Sequence, residues 1–120
     1  MTTTYVQEGN VSNYTAGGAI AAGAVVPLQH GVGIALKAAA ASGDVIPIAR
    51  EGVYTVPKTT GVAWADGEKV IWDASASKFD GSGLVTATGD LVGCAVAWGP
   101  AASGDATASV KLTPGNTTRV

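Results

Sequence analysis

A six-residue phrase, Ala-x-Gly-x-x-Val/Ile, returns four times along this chain: at Ala21–Val26, Ala41–Ile46, Ala65–Val70 and Ala87–Val92. The copies start 20 to 24 residues apart, the length of two short strands with their turns. Glycine supplies the positive φ that a tight turn needs, and the β-branched residue beyond it begins a pleated strand. The phrase predicts a recurring turn that feeds a strand. It holds no constant nucleophile or metal-binding cluster, so the repeat is architectural.

Strand signals follow one another closely around these turns. Residues 24–28, 31–36, 44–48, 52–56, 69–72 and 91–98 are expected strands, with a short one over Thr4–Gln7. The last strand alternates most clearly: Ala106, Ala108, Val110 and Leu112 face one way, Thr107, Ser109 and Lys111 the other. Pro27 and Pro47 stand at matching places beyond Gly23 and Gly43. Proline removes a ladder donor, so both are expected on edge strands or bulges. Leu36–Ala41 favours helix but is too short to hold one alone, leaving a single turn or a connecting loop. Short strands with frequent turn signals predict an all-β, single-domain antiparallel β-sandwich or barrel. The expected layout is an N-terminal strand or arm over 1–18, the β-domain over 19–114 and a tail over 115–120.

Composition narrows the function. The chain has 120 residues, room for one domain, and its 47% hydrophobic content comes mainly from small side chains. Its charged fraction is 13%, against about 25% in soluble domains. Either a Thr/Ser/Gly surface or burial against other chains accounts for that deficit, and burial in an oligomer or assembly is the reading favoured here. Lys37, Arg50, Lys58, Lys69, Lys78, Lys111 and Arg119 are scattered and the net charge is −2, so direct nucleic-acid binding is not expected. The single cysteine, Cys94, lies among Val92, Ala95 and Val96 and reads as a small buried hydrophobe. Met1–Thr4 lacks a signal-peptide pattern, and Ala16–Leu28 is too short to span a bilayer. Synthesis in a cytoplasm, with no membrane partner, is the expectation. Asn10, Asn13 and Asn116 match the glycosylation pattern, which without a secretory signal carries no weight.

No catalytic, cofactor-binding or metal residue emerges. His30 is the lone histidine and no Gly-x-Ser-x-Gly elbow accompanies it, so it reads as a turn or interface residue. Asp44, Asp66, Asp80, Asp90 and Asp105 each adjoin a glycine and are assigned to turns. No calcium loop and no phosphate-binding Gly-Lys motif occurs. Trp72 is expected in the core, whereas Trp64 and Trp98 suit either core or interface.

Several phrases carry a resemblance: Gly18–Gly23, His30–Ala35, Gly52–Lys58, Gly67–Asp73 and Gly89–Ala95. Through them the chain resembles, from about residue 5 to 114, a family of small phage and prophage proteins encoded among head genes. That family is often labelled a RecA/RadA-family recombinase, a label at odds with the missing phosphate loop, the small size and the acidic balance. The resemblance implies a β-rich capsid decoration or cement protein with no catalytic residues and no cofactor. Its expected partners are the major capsid protein and further copies of itself, as a dimer or trimer, with the N-terminal arm ordering on a neighbour. Its expected place is the virion surface after synthesis in a bacterial host cytoplasm. Two other classes compete. A carbohydrate-binding head or fibre module would use Trp64 or Trp98 as a stacking platform, and a hydrolase would use His30 with an acid.

Overall fold

All four Ala-x-Gly phrases form a tight turn that runs straight into a strand. The fourth residue of each donates its N–H to the first residue's carbonyl: Ala24 to Ala21, Asp44 to Ala41, Glu68 to Ala65 and Asp90 to Ala87, at 3.1–3.3 Å. The glycines at the third position have φ of +84°, +94°, +79° and +96°, the type II signature. In three copies a carboxylate at the fourth position also reaches back to the first residue's N–H. These contacts are Asp44 to Ala41 (3.1 Å), Glu68 to Ala65 (3.0 Å) and Asp90 to Ala87 (2.9 Å). Backbone and side chain thus close the same turn from both ends. Ala102-Ser103-Gly104-Asp105 repeats both contacts, at 3.1 and 3.0 Å, though its glycine lacks the positive φ.

The computed structural model describes residues 7–120. The expected Thr4–Gln7 strand lies outside them except for Gln7, which is not in a strand. Ten strands are present and, among the described residues, no helix: β1 (Val11–Thr15), β2 (Val25–Leu28), β3 (Gly31–Ala35), β4 (Val45–Ala49) and β5 (Val53–Pro57), then β6 (Lys69–Asp73), β7 (Lys78–Asp80), β8 (Leu91–Ala97), β9 (Thr107–Leu112) and β10 (Thr118–Arg119). They make two antiparallel sheets, ordered β1-β4-β3-β2 and β5-β9-β8-β6-β7, with β10 pairing β8. Leu36–Ala41 connects strands as a loop, and Ile20 and Ala39 bridge across it.

The second sheet closes on itself. Beyond β5, Lys58 bridges Phe79 of β7 in parallel, and Thr59 N–H donates to the Phe79 carbonyl at 2.9 Å. Sandwich and barrel are therefore both present, a four-stranded sheet packed on a bridged barrel. The main core joins Val32, Ile34 and Ala49 of the first sheet to the barrel's inward residues. Trp72 and Phe79 anchor it edge to face, with ring centroids 5.1 Å apart. Opposite, the first sheet buries Val26, Ala35, Ile46 and Ile48 under loop residues Ala16 and Ala39. Buried on both faces, β3 accepts only Gly, Val, Ile and Ala.

Pro27 lies on the edge strand β2 as expected, but Pro47 does not lie on an edge. It sits in β4, between β1 and β3. The bonds Arg50 N–H to Asn10 and Ala16 N–H to Asp44 fix the alternation, so even-numbered residues of β4 bond β1 and Pro47 turns its nitrogen toward β3. There β3 has just ended, and Leu36 N–H still donates to the Pro47 carbonyl at 3.0 Å. Only one donor is missing, at a ladder's last rung. That is why an inner proline is tolerated.

Glu68 ties its own turn to the loop after β7. Its carboxylate accepts the Ser82 N–H (2.8 Å), the Ser82 hydroxyl (3.1 Å) and the Ala65 N–H (3.0 Å). These bonds, the Ser82 amide first, hold its pKa below the ordinary glutamate value. Such a group stabilises fully above its unfolded pKa and stops doing so as pH falls through the lower, folded pKa. Half-buried at the surface, where solvent still screens it, Glu68 contributes little to global stability, but the tie is readable locally. The Ser82 and Ala65 amide proton shifts are expected to titrate together in NMR, with a midpoint below that of an unfolded glutamate. Glu68→Ala should abolish the titration; if it persists, another carboxylate holds the loop.

Candidate functional site

The groups that sequence reasoning weighed for chemistry do not converge. His30 is exposed in the β2–β3 turn. Asp44, Asp90 and Asp105 hold turn amides, and Asp80 accepts the Gly81 N–H at 2.7 Å. Asp66 accepts the Gly99 N–H at 2.9 Å, and Asp73 accepts from Ser75 and Ala76. Among the described residues no three His, Cys, Asp or Glu side chains gather to hold a metal, and no helix is long and apolar enough to cross a membrane. Cys94 is buried with its thiol pushed up to about 11 by desolvation, an unreactive packing group.

The tryptophans divide. Trp64 and Trp72 are buried in the main core, which removes Trp64 as a stacking platform. Trp98 is 56% exposed, at the end of β8. The cause is local. Along β8, Ala95 and Ala97 face the core beside Leu112 and Val110, so Val96 and Trp98 point outward.

Trp98 anchors the outer face of the second sheet. Its backbone N–H donates to the Ser109 carbonyl at 2.9 Å, placing it beside β9. Lys111 Nζ stands 5.8 Å from the ring centroid. Val96, Lys111 and Val53 lie in one row across β8, β9 and β5, and Lys69 of β6 extends it. Val53 and Trp98 are exposed, and Thr55 and Thr107 fill the surface between and beyond them. A shallow hollow lined by Asp66, Trp98 and Gly99 borders the ring. The face is apolar at its centre and lysine-bearing. It is suited to contact rather than to turnover.

A family model described as phage cement protein matches residues 6–112. This chain belongs to the phage cement proteins. The match runs through every strand from β1 to β9. It bears out a phage head-associated family and gives no support to the recombinase label. No curated protein and no solved structure is significantly similar to the chain. A capsid-associated, structural role follows from the family. The missed sequence signal for its exposed face is the β8 alternation, which separates Trp98 from Trp64 once the strand's inward residues are known.

Proposed function

We propose that this cement protein binds the outer surface of the assembled head and stabilises the shell, with the Trp98 face of the second sheet as its contact with the major capsid protein. The observation that supports this face is the exposed Trp98 under Lys111, on the outer face of the second sheet with Val53 and Val96. Tryptophan at the centre of a flat contact is the residue type most often dominant in binding. Lys69 and Lys111 fit a shell surface carrying carboxylates. Binding the assembled lattice and not its open subunits stabilises the lattice by mass action. Self-association, as a dimer or trimer, would present several such faces and make later contacts intramolecular.

Co-sedimentation with purified heads that lack the protein tests this. Wild type should pellet saturably, Trp98→Ala should weaken binding by about tenfold or more, and Lys111→Ala by less. Undiminished binding of Trp98→Ala would move the contact to another face. The exposed ring beside Asp66 also favours a second reading, carbohydrate stacking. Saturable quenching of Trp98 fluorescence by sugars, with no binding to heads, would select it.

A further inference from the structure

We infer that β1 is a self-pairing edge, through which two copies join their first sheets into one eight-stranded sheet across a two-fold axis at Asn13. The inference deepens the self-association in the reading above and rests on that element alone; the Trp98 face lies on the other sheet.

Apart from the two-residue β10, the other strand edges are guarded. β2 carries Pro27, which in the Val26–Gly33 and Leu28–Gly31 alternation turns its ring nitrogen outward and offers no donor. β5 ends in Pro57, likewise outward, and the Lys58–Phe79 bridge joins β5 to β7. β1, Val11-Ser12-Asn13-Tyr14-Thr15, has neither proline nor charge, and among the described residues it pairs only β4. Natural sheets seldom leave such an edge open.

Its geometry is self-complementary. Because Asn10 and Ala16 bond β4 residues, so do Ser12 and Tyr14, and Val11, Asn13 and Thr15 direct their N–H and C=O groups to the open side. Gln7 Nε2 donates to the Val11 carbonyl from that side at 2.9 Å, confirming the direction. Two antiparallel β1 strands centred on Asn13 exchange both Asn13 bonds and set Val11 opposite Thr15 twice, with the Thr15 N–H displacing Gln7. No like charges meet. On the same face Val45, 60% exposed, pairs with Thr15, so the partner's Val11, 37% exposed here, lands one strand away from it. Pairing sets Val11 of each copy beside Thr15 of the other, a cross-strand pair of β-branched residues made twice.

The test is the solution mass, by light scattering and sedimentation equilibrium. Wild type should run at twice 11.8 kDa. Asn13→Pro removes an outward donor while sparing every β4 bond, and should run as a monomer with unchanged circular dichroism. Asn13→Asp places two carboxylates across the axis. It should dissociate at pH 7 and recover the dimer near pH 4, which keeps the test valid if the proline variant misfolds. Trp98→Ala should remain dimeric whether or not it binds heads. A monomeric wild type, a trimer, or dimers undisturbed by both Asn13 variants would overturn the proposal. So would a monomeric wild type whose head binding falls with Asn13→Pro, which would assign the edge to a capsid strand.

Discussion

Gly93→Ala is expected to lose about 3 kcal/mol or more of stability, a large share of the roughly 5–15 kcal/mol that holds a small domain folded. The position is demanding twice over. Gly93 has φ +85°, where an L side chain costs about 1–3 kcal/mol. Its added methyl would also run into the Asn116 backbone carbonyl, which has no rotamer to yield. The glycine sits in a bulge: β6 pairs Val70 with Ala95 but Ile71 with Val92, so Gly93 and Cys94 are looped out of the ladder. The Gly93 carbonyl is held by the Thr113 hydroxyl at 2.7 Å, and Cys94's carbonyl by the Thr113 N–H at 3.0 Å. Moving Asn116 away would therefore disturb the segment between β9 and β10 as well. Two other glycines separate the causes. Gly23→Ala meets the same positive φ in open space and should cost about 1 kcal/mol. Gly104→Ala meets neither and should stay within about 0.5 kcal/mol of wild type. Urea midpoints at constant m-value measure all three. Equal losses at Gly93 and Gly23 would show that backbone strain alone, and no clash, sets the cost.

The same bulge marks how far the sequence was legible. Turn phrases and β-branched runs located the strands from β2 to β6 and β8 and β9, because glycine and branched residues carry strong local preferences. β1 falls inside the expected N-terminal strand or arm over 1–18 without a strand signal of its own. Its Val-Ser-Asn-Tyr-Thr has too few hydrophobes to signal a strand, and its pairing with β4 across thirty residues is a tertiary fact. Pro47 misled for a related reason: proline forbids one donor, and only the alternation with β1 and the end of β3 reveal that none is needed there. The tryptophans could not be sorted locally because both sit among small residues, Ala63-Trp64-Ala65 and Ala97-Trp98-Gly99. Counting alternation back through β8 fails at Gly93, where two residues leave the ladder. Counting forward from Ala95 succeeds. Of the five aspartates expected in turns, Asp44, Asp66, Asp90 and Asp105 lie in them, whereas Asp80 ends β7, and the carboxylate reach to the first residue's amide needed coordinates.

Lys58, one of the scattered charges in the sequence, is as fully buried as Phe79. Lys58→Ala is expected to destabilise by about 3 kcal/mol, and Lys58→Met by about 1–2 kcal/mol. The side chain fills space beside Trp64, with Nζ 5.6 Å from the ring centroid. Its ammonium donates to the Thr59 carbonyl at 3.0 Å and the Asp105 carbonyl at 3.4 Å. No carboxylate pairs with it among the described residues, so carbonyl dipoles and the indole face offset the cost of burying the charge. Alanine removes the stem, at about 0.8 kcal/mol per buried methylene, and leaves a cavity plus two carbonyls without their donor. Methionine keeps most of the stem volume and loses only the donors and the ring contact. That loss is partly returned, since no ammonium need be desolvated. The difference between the two variants thus isolates packing from charge. It also tests the barrel's closure, because Lys58 is where β5 leaves Ala106 and meets Phe79, its N–H donating to the Ala106 carbonyl at 2.8 Å. If closure depends on this side chain, Lys58→Ala should speed exchange of the Thr59 amide, bonded to Phe79, more than that of the Ala35 amide, bonded to Ala24 in the other sheet. Uniform acceleration at both amides would mean that the variant lowers global stability without opening the seam. A methionine variant as damaged as the alanine one would place the stabilisation in the ammonium's contacts and not in the packed stem.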